Sequence, residues 1–229
     1  MWNGKLKAVT FSFDDNVIQD IRTIEIMNYY GIKGTFNLNS GLMGLEGRAD
    51  SIGSGRYKRN DPVDIPMIYR GHEVAAHSVT HPTLTPLSDD EVIHQVEDDR
   101  IALSEIVGYE VVGLAYPNGP FDDRIVELIK NHTGIRYART VISTHTFDSQ
   151  TDLLRFKPTL HHHDGELYDV CRRFFEMECD QPQTLYIWGH AYEMDDVSDG
   201  WERFEKLCKF VSGKSDVFYG TNREVLLGY

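Results

Sequence analysis

The sequence predicts an α/β fold with parallel strands, and a (β/α) barrel of about seven strands fits it better than an open sheet. Three observations predict this. Strand-like and helix-like periods alternate almost from end to end. That order implies parallel pairing through right-handed crossovers. No change of composition, fixed-period repeat or low-complexity tract divides the 229 residues, so one domain over residues 1–229 is expected, a size that single barrels reach. The pattern alone does not separate barrel from open sheet.

The elements follow in order. Val9, Phe11 and Phe13 alternate with Ala8, Thr10 and Ser12 as a strand with one strongly apolar face. Val17, Ile21, Ile24 and Met27 take helical spacing, and Gly31 stands where a helix stop is expected. Residues 34–39 are a second strand. Residues 40–64, rich in Gly, Ser and charge and lacking either period, predict a long loop. Residues 72–77 are a third strand. Ser88-Asp89-Asp90-Glu91 is a capping box opening a long helix marked by Val92, Val96, Leu103 and Val107. Strands at 110–116, 135–140, 184–190 and 217–220 alternate with helices at 122–131, 164–178 and 201–211.

Composition excludes several classes. Against 23 basic side chains stand 36 acidic ones, a formal charge of -13, and no basic stripe suited to phosphate is present. A nucleic-acid partner is therefore not expected, and a strongly anionic polymer is a poor substrate. No window reaches the roughly eighteen consecutive apolar residues of a membrane span. The first residues run straight into a strand pattern without a leader-like segment, which reads as cytoplasmic. Cys171, Cys179 and Cys208 are too few and too scattered for a disulfide framework or a Cys-based zinc site. Oligomeric state is not legible.

In parallel β/α folds chemistry gathers at the carboxyl ends of strands. Four ends here carry capable residues. The first closes in Asp14-Asp15-Asn16, two carboxylates able to approach one site or, more blandly, to cap a helix. The third closes in His77-Ser78-Val79-Thr80-His81-Pro82, two histidines at a zinc-ligand spacing or two ordinary loop histidines. Tyr116-Pro117-Asn118-Gly119 is a rigid turn able to present a backbone N–H to an oxyanion, or simply a turn. Trp188-Gly189-His190 puts an imidazole at a strand end, fit for acid or base work or for a structural role. Together these supply the groups needed for metal-assisted hydrolysis of an acyl group.

Taken in order, Phe11-Ser12-Phe13-Asp14-Asp15, the 77–82 segment, Tyr116-Pro117-Asn118-Gly119 and Ile187-Trp188-Gly189-His190 resemble the successive motifs of the polysaccharide deacetylase family, also called the NodB-homology domain or carbohydrate esterase family 4. The resemblance implies a deformed (β/α) barrel holding one divalent metal, usually Zn2+, with Co2+ or Mn2+ as alternatives. By position it makes Asp15, His77 and His81 the metal ligands, Asp14 the general base and His190 the general acid. It also makes the Tyr116 N–H an oxyanion donor. The reaction it implies is removal of acetyl groups from N- or O-acetylated sugars.

Two departures stand out. The family's Arg two residues before the third-motif proline is Ala115 here, leaving Arg155 or Arg139 to hold Asp14. The Asp that supports the catalytic histidine is not evident, with Asp148, Asp152 and Asp164 as candidates. These departures keep open a hydrolase of cyclic amides or imides on the same scaffold; a carbohydrate-binding pseudo-enzyme is the more remote alternative, against which the intact Asp14, Asp15, His77, His81 and His190 set argues. Pro117, Asn118, Arg155, Trp188 and Tyr192 are expected beside the substrate. Tyr116, Phe147, Trp188, Tyr192 and Trp201 are possible sugar-stacking rings, barrel packing being the alternative. His161-His162-His163 is expected to line the cleft or lie on the surface, and Glu193, Asp195 and Asp196 to be a solvated loop.

Overall fold

A computed structural model describes residues 2–48 and 56–229. Its strands are β1 (Lys7–Asp14), β2 (Gly34–Leu38), β3 (Glu46–Arg48), β4 (Arg56–Lys58), β5 (Glu73–Ala76), β6 (Gly113–Ala115), β7 (Tyr137–Arg139), β8 (Leu160–His161), β9 (Gln183–His190) and β10 (Val217–Tyr219). Its α-helices are α1 (Gln19–Tyr29), α2 (Ile65–Ile68), α3 (Asp89–Ile93), α4 (Asp99–Val107), α5 (Asp123–His132), α6 (Leu167–Glu176), α7 (Gly200–Val211) and α8 (Asn222–Leu226).

The main sheet is parallel throughout and runs β7-β6-β5-β2-β1-β9-β8, with β10 against the first half of β1 and β2 against its second half. The sheet curls until its ends approach. Phe156 bridges to Arg139 of β7, and four residues later Leu160 of β8 pairs with Ile187 of β9. This is the deformed (β/α) barrel that the alternation and the motifs predict.

The two-residue period of β1 has a direct structural meaning. Its apolar set, Phe11 and Phe13, packs edge-on against Phe204 of α7, so this face is the helix-covered outside. The alternate set faces the lumen and is satisfied by hydrogen bonds, as buried polar groups must be. Thr10 donates to Asn222 Oδ1, and Ser12 Oγ accepts from Asn37. Asn222 of α8 donates to the Tyr186 hydroxyl and its N–H to Thr35, so α8 plugs the amino end of the barrel. The polar column that starts there ends at Asp14, at the opposite mouth.

Three expectations need correction. The 40–64 segment is not a plain loop: Ser40–Leu42 forms a 3-10 turn, and β3 pairs antiparallel with β4, while residues 49–55 lie outside the described residues. The long helix is interrupted by a π-helical turn, His94–Asp98, between α3 and α4. A capping box at Thr221 and Glu224 opens the unanticipated α8. No helix among the described residues is long and apolar enough to cross a membrane.

Candidate active site

The carboxyl ends of β1, β2 and β9 lie in register, so Asp14 has Asn37 on one side and His190 on the other. Asn37 donates to Asp14 Oδ1 at 2.8 Å, and Arg139 Nη2 to Oδ2 at 2.5 Å. Burial works to raise the Asp14 pKa, but the charge and hydrogen bond of Arg139, with the His77 and His190 rings beside it, outweigh it and hold the carboxyl at about 2. Arg139 is itself buried, with its guanidinium 4.4 Å above the Trp188 ring. Ala115 and Arg139 are paired residues of β6 and β7. The cation missing at Ala115 is thus supplied from the same level of the neighbouring strand. Arg155 lies elsewhere, paired with Asp152 and Asp123 at the surface.

Beyond Asp14 the chain leaves the sheet through two consecutive left-handed residues, Asp15 (φ 84) and Asn16 (φ 56). Such backbone is costly for non-glycine residues and needs external support. Asn60 and the Tyr69 hydroxyl provide it by bonding Asn16.

The histidine loop is held in the same way. Ser78 and His81 also adopt positive φ. Asn39 donates to the carbonyls of His77 and Ser78, and Asp99 of α4 accepts the His77 N–H at 2.9 Å. The carbonyl of Gln95, within the π-helical turn, accepts the Val79 N–H, so the bulge is what presents the helix to this loop.

Within the cluster His77 Nδ1 lies 2.8 Å from the Ala115 carbonyl, which can only accept. The ring proton is therefore on Nδ1, and the Nε2 lone pair faces His81 Nε2 at 3.1 Å. Burial lowers the His77 pKa to about 4 and keeps the ring neutral. Asp15 Oδ1 lies 3.6 Å from His81 Nε2 and 3.8 Å from His77 Nε2, buried and without a hydrogen-bond partner. A buried carboxylate oxygen left without a donor, beside two imidazole nitrogens, fits a divalent cation of the zinc class. The three candidate ligand atoms lie within 4.8 Å of one another, and the Ala115 carbonyl fixes the His77 ring by the kind of contact that orients metal-binding histidines.

His190 Nε2 is 3.8 Å from Asp14 Oδ2, and its Nδ1 is 3.3 Å from Glu193 Oε1. Glu193 Oε2 also accepts the His190 backbone N–H at 2.9 Å. Burial would lower the His190 pKa, but Glu193, with Asp14 and Asp15 behind it, raises it to about 9. The ring therefore carries its proton at neutral pH. None of Asp148, Asp152 and Asp164 serves it. Asp164 pairs with His145, Asp152 with Arg155, and Asp148 lies by Gln183. The supporting carboxylate is Glu193, which is not part of a solvated loop but is mostly buried between His190 and the His161–His162 pair. Glu193→Gln is expected to bring the His190 pKa down from about 9, so that the ring loses its proton at lower pH. An NMR titration of the imidazole measures this, and an unmoved midpoint would transfer the effect to Asp14 and Asp15.

Asp14, Asp15, His77, His81, Tyr116, Asn118, Trp188, His190, Tyr192 and Glu193 line one cleft of about 240 Å3, with Val141 at its wall. Several expected substrate contacts change. The Tyr116 N–H is already bonded to the Arg139 carbonyl, so it is not a spare oxyanion donor. The Tyr116 ring stacks on Phe121 and its hydroxyl bonds the Leu154 carbonyl. Phe147 packs on Phe174, Trp201 on Arg22, and Trp188 under Arg139. Pro117 is buried and does not line the cleft. Asn118 (φ 60) remains, its side chain bonded to Thr83 and its N–H without a partner among the described residues.

Comparison with known proteins places the chain in a family and matches its fold to solved structures. The family model for polysaccharide deacetylase matches residues 3–138. No curated protein matches the chain in sequence. Among solved structures, the Streptococcus pyogenes deacetylase PplD in complex with acetate is 21% identical over 64% of this chain and 61% of its own, with a TM-score of 0.53. The Streptomyces lividans family 4 carbohydrate esterase in complex with acetate is 13% identical over 95% of this chain and 93% of its own, with a TM-score of 0.58. BA3943, a CE4-family pseudoenzyme from Bacillus anthracis, is 18% identical over 99% of this chain and 66% of its own, again with a TM-score of 0.58. At these identities the likeness is one of fold, and the chain spans about three fifths of the Streptococcus pyogenes protein.

Proposed function

Since this chain belongs to the polysaccharide deacetylase family, we propose that residues 1–229 act as one catalytic domain that hydrolyses acetyl groups from N- or O-acetylated saccharides. The observation that carries this reading is the meeting of Asp14, Asp15, His77, His81 and His190 in one cleft. A divalent cation held by Asp15, His77 and His81, zinc in the first instance and Co2+ or Mn2+ as alternatives, would polarise the acyl carbonyl and acidify the attacking water.

The other steps belong to side chains. Asp14, kept ionised and fixed in place by Arg139 and Asn37, takes the proton of the attacking water. The N–H of Asn118, without a partner among the described residues, stabilises the oxyanion in place of the Tyr116 N–H. His190, protonated and backed by Glu193, gives its proton to the leaving nitrogen or oxygen. A cleft of about 240 Å3 takes an acetyl group and leaves most of the sugar outside, which suits a mono- or oligosaccharide. Arg139 and Glu193 fill the two roles whose absence favoured a cyclic amide or imide, so that alternative loses its support.

Zinc-loaded protein should release acetate from members of a panel of N- and O-acetylated mono- and oligosaccharides, and a chelator should stop it. Elemental analysis of His77→Ala and His81→Ala should show metal and activity lost together. Binding of saccharides without acetate release from metal-replete protein would overturn the enzyme reading in favour of a pseudo-enzyme.

A further inference from the structure

The three consecutive histidines take no part in the chemistry above, yet they are not scattered over the surface. In a strand their rings would alternate between faces. Here the chain turns directly after β8, and the rings of His161 and His162 lie 4.8 Å apart and those of His162 and His163 4.0 Å apart. His162 is buried and anchored by its N–H on the Trp188 carbonyl at 2.8 Å. Gly189 makes room for it, since a Cβ there would stand 1.9 Å from His162 Cδ2. The His163 N–H bonds His161 Nδ1 and so turns His161 Nε2 towards Glu193, 3.3 Å away. His162 Nε2 meets the same carboxylate oxygen at 2.6 Å.

We propose that His161, His162, His163 and Glu193 form a second cation site, separate from the Asp15–His77–His81 cluster and suited to a zinc-class ion. One ligand atom from each residue lies within 4.8 Å of the others, and three imidazoles with one carboxylate are a zinc donor set. His163 is exposed and His161 partly so, which gives an ion a way in from solvent.

The site is coupled to the first through one side chain. Glu193 Oε2 faces the histidines, while Oε1 faces His190. A cation on Glu193 draws that carboxylate away from His190. Given the role proposed above for His190, zinc beyond the first equivalent should inhibit.

Equilibrium dialysis of the full chain against zinc, followed by elemental analysis, tests this in wild type, His163→Ala and His77→Ala. Two equivalents are expected in wild type and one in each variant, and cobalt substitution should give two distinguishable visible spectra. Acetate release should fall at least tenfold at the second zinc equivalent in wild type and show no such fall in His163→Ala. A single equivalent, kept in His163→Ala and lost in His77→Ala, would overturn the second site and leave the first intact. A single equivalent with the reverse pattern would support the second site and overturn the ligand set Asp15, His77 and His81. His161→Ala provides an independent check, and no binding by wild type would overturn both.

Discussion

Asp14→Asn is expected to retain the metal and to lower kcat by roughly 10²–10⁴, the range that one positioned acid–base group supplies. The substitution is nearly isosteric. An amide oxygen still accepts from Arg139 or Asn37, and Asp15, His77 and His81 are untouched. What disappears is the negative charge that accepts the proton in the proposed mechanism. Asn also leaves the buried Arg139 without its counterion, so melting temperature must be measured beside kcat to separate lost chemistry from lost fold. A folded, metal-bearing Asp14→Asn with full activity would remove Asp14 as the base. In wild type the depressed pKa has a second consequence. Asp14 stabilises the fold fully above its ordinary value of 3.8, and that contribution is lost as pH falls towards about 2. The variant should lose this part of the acid sensitivity.

How much of this was legible in the sequence follows from the range of each interaction. The alternation in β1 separates a helix-packing face from a lumenal one, and local period is enough to see it. The residues at strand ends were legible for the same reason, because parallel topology brings all those ends to one mouth. Arg139 could be named only alongside Arg155. Choosing between them requires the β6–β7 register, which pairs positions 115 and 139 and leaves no local trace. Glu193 was misread because an acidic run at 193–196 resembles a solvated turn. A local signal did exist: Glu193 stands three residues after His190 and accepts its backbone N–H, as Glu91 does for Ser88 and Glu224 for Thr221. The strands of the β3–β4 ribbon, Glu46-Gly47-Arg48 and Arg56-Tyr57-Lys58, are too short and too polar for any period to show. β8, two residues long, is defined entirely by its partner β9.

The larger structural effect is expected at Arg139. Arg139→Ala strips the buried Asp14 of its counterion and empties the space above Trp188, which should cost about 3–5 kcal/mol of stability. Burial then acts on Asp14 with less opposition, so its pKa rises from about 2 and acid sensitivity shifts to higher pH. A carboxylate no longer held in position should also lose roughly 10²-fold in kcat. The register offers a way to separate position from mere presence of a cation. Paired residues of parallel strands point to the same face, about 4.8 Å apart, so an arginine at 115 starts one strand away from the native one. In Ala115→Arg/Arg139→Ala it can use the volume vacated at 139. The Ala115 carbonyl that orients His77 is main chain and survives the exchange. The double variant should therefore recover at least tenfold in kcat over Arg139→Ala, together with most of the lost thermal stability, measured by saccharide deacetylation and thermal denaturation. If it behaves no better than the single variant, positions 115 and 139 are not interchangeable addresses for the cation beside Asp14. The role of Arg139 would then lie in its packing on Trp188 rather than in its charge.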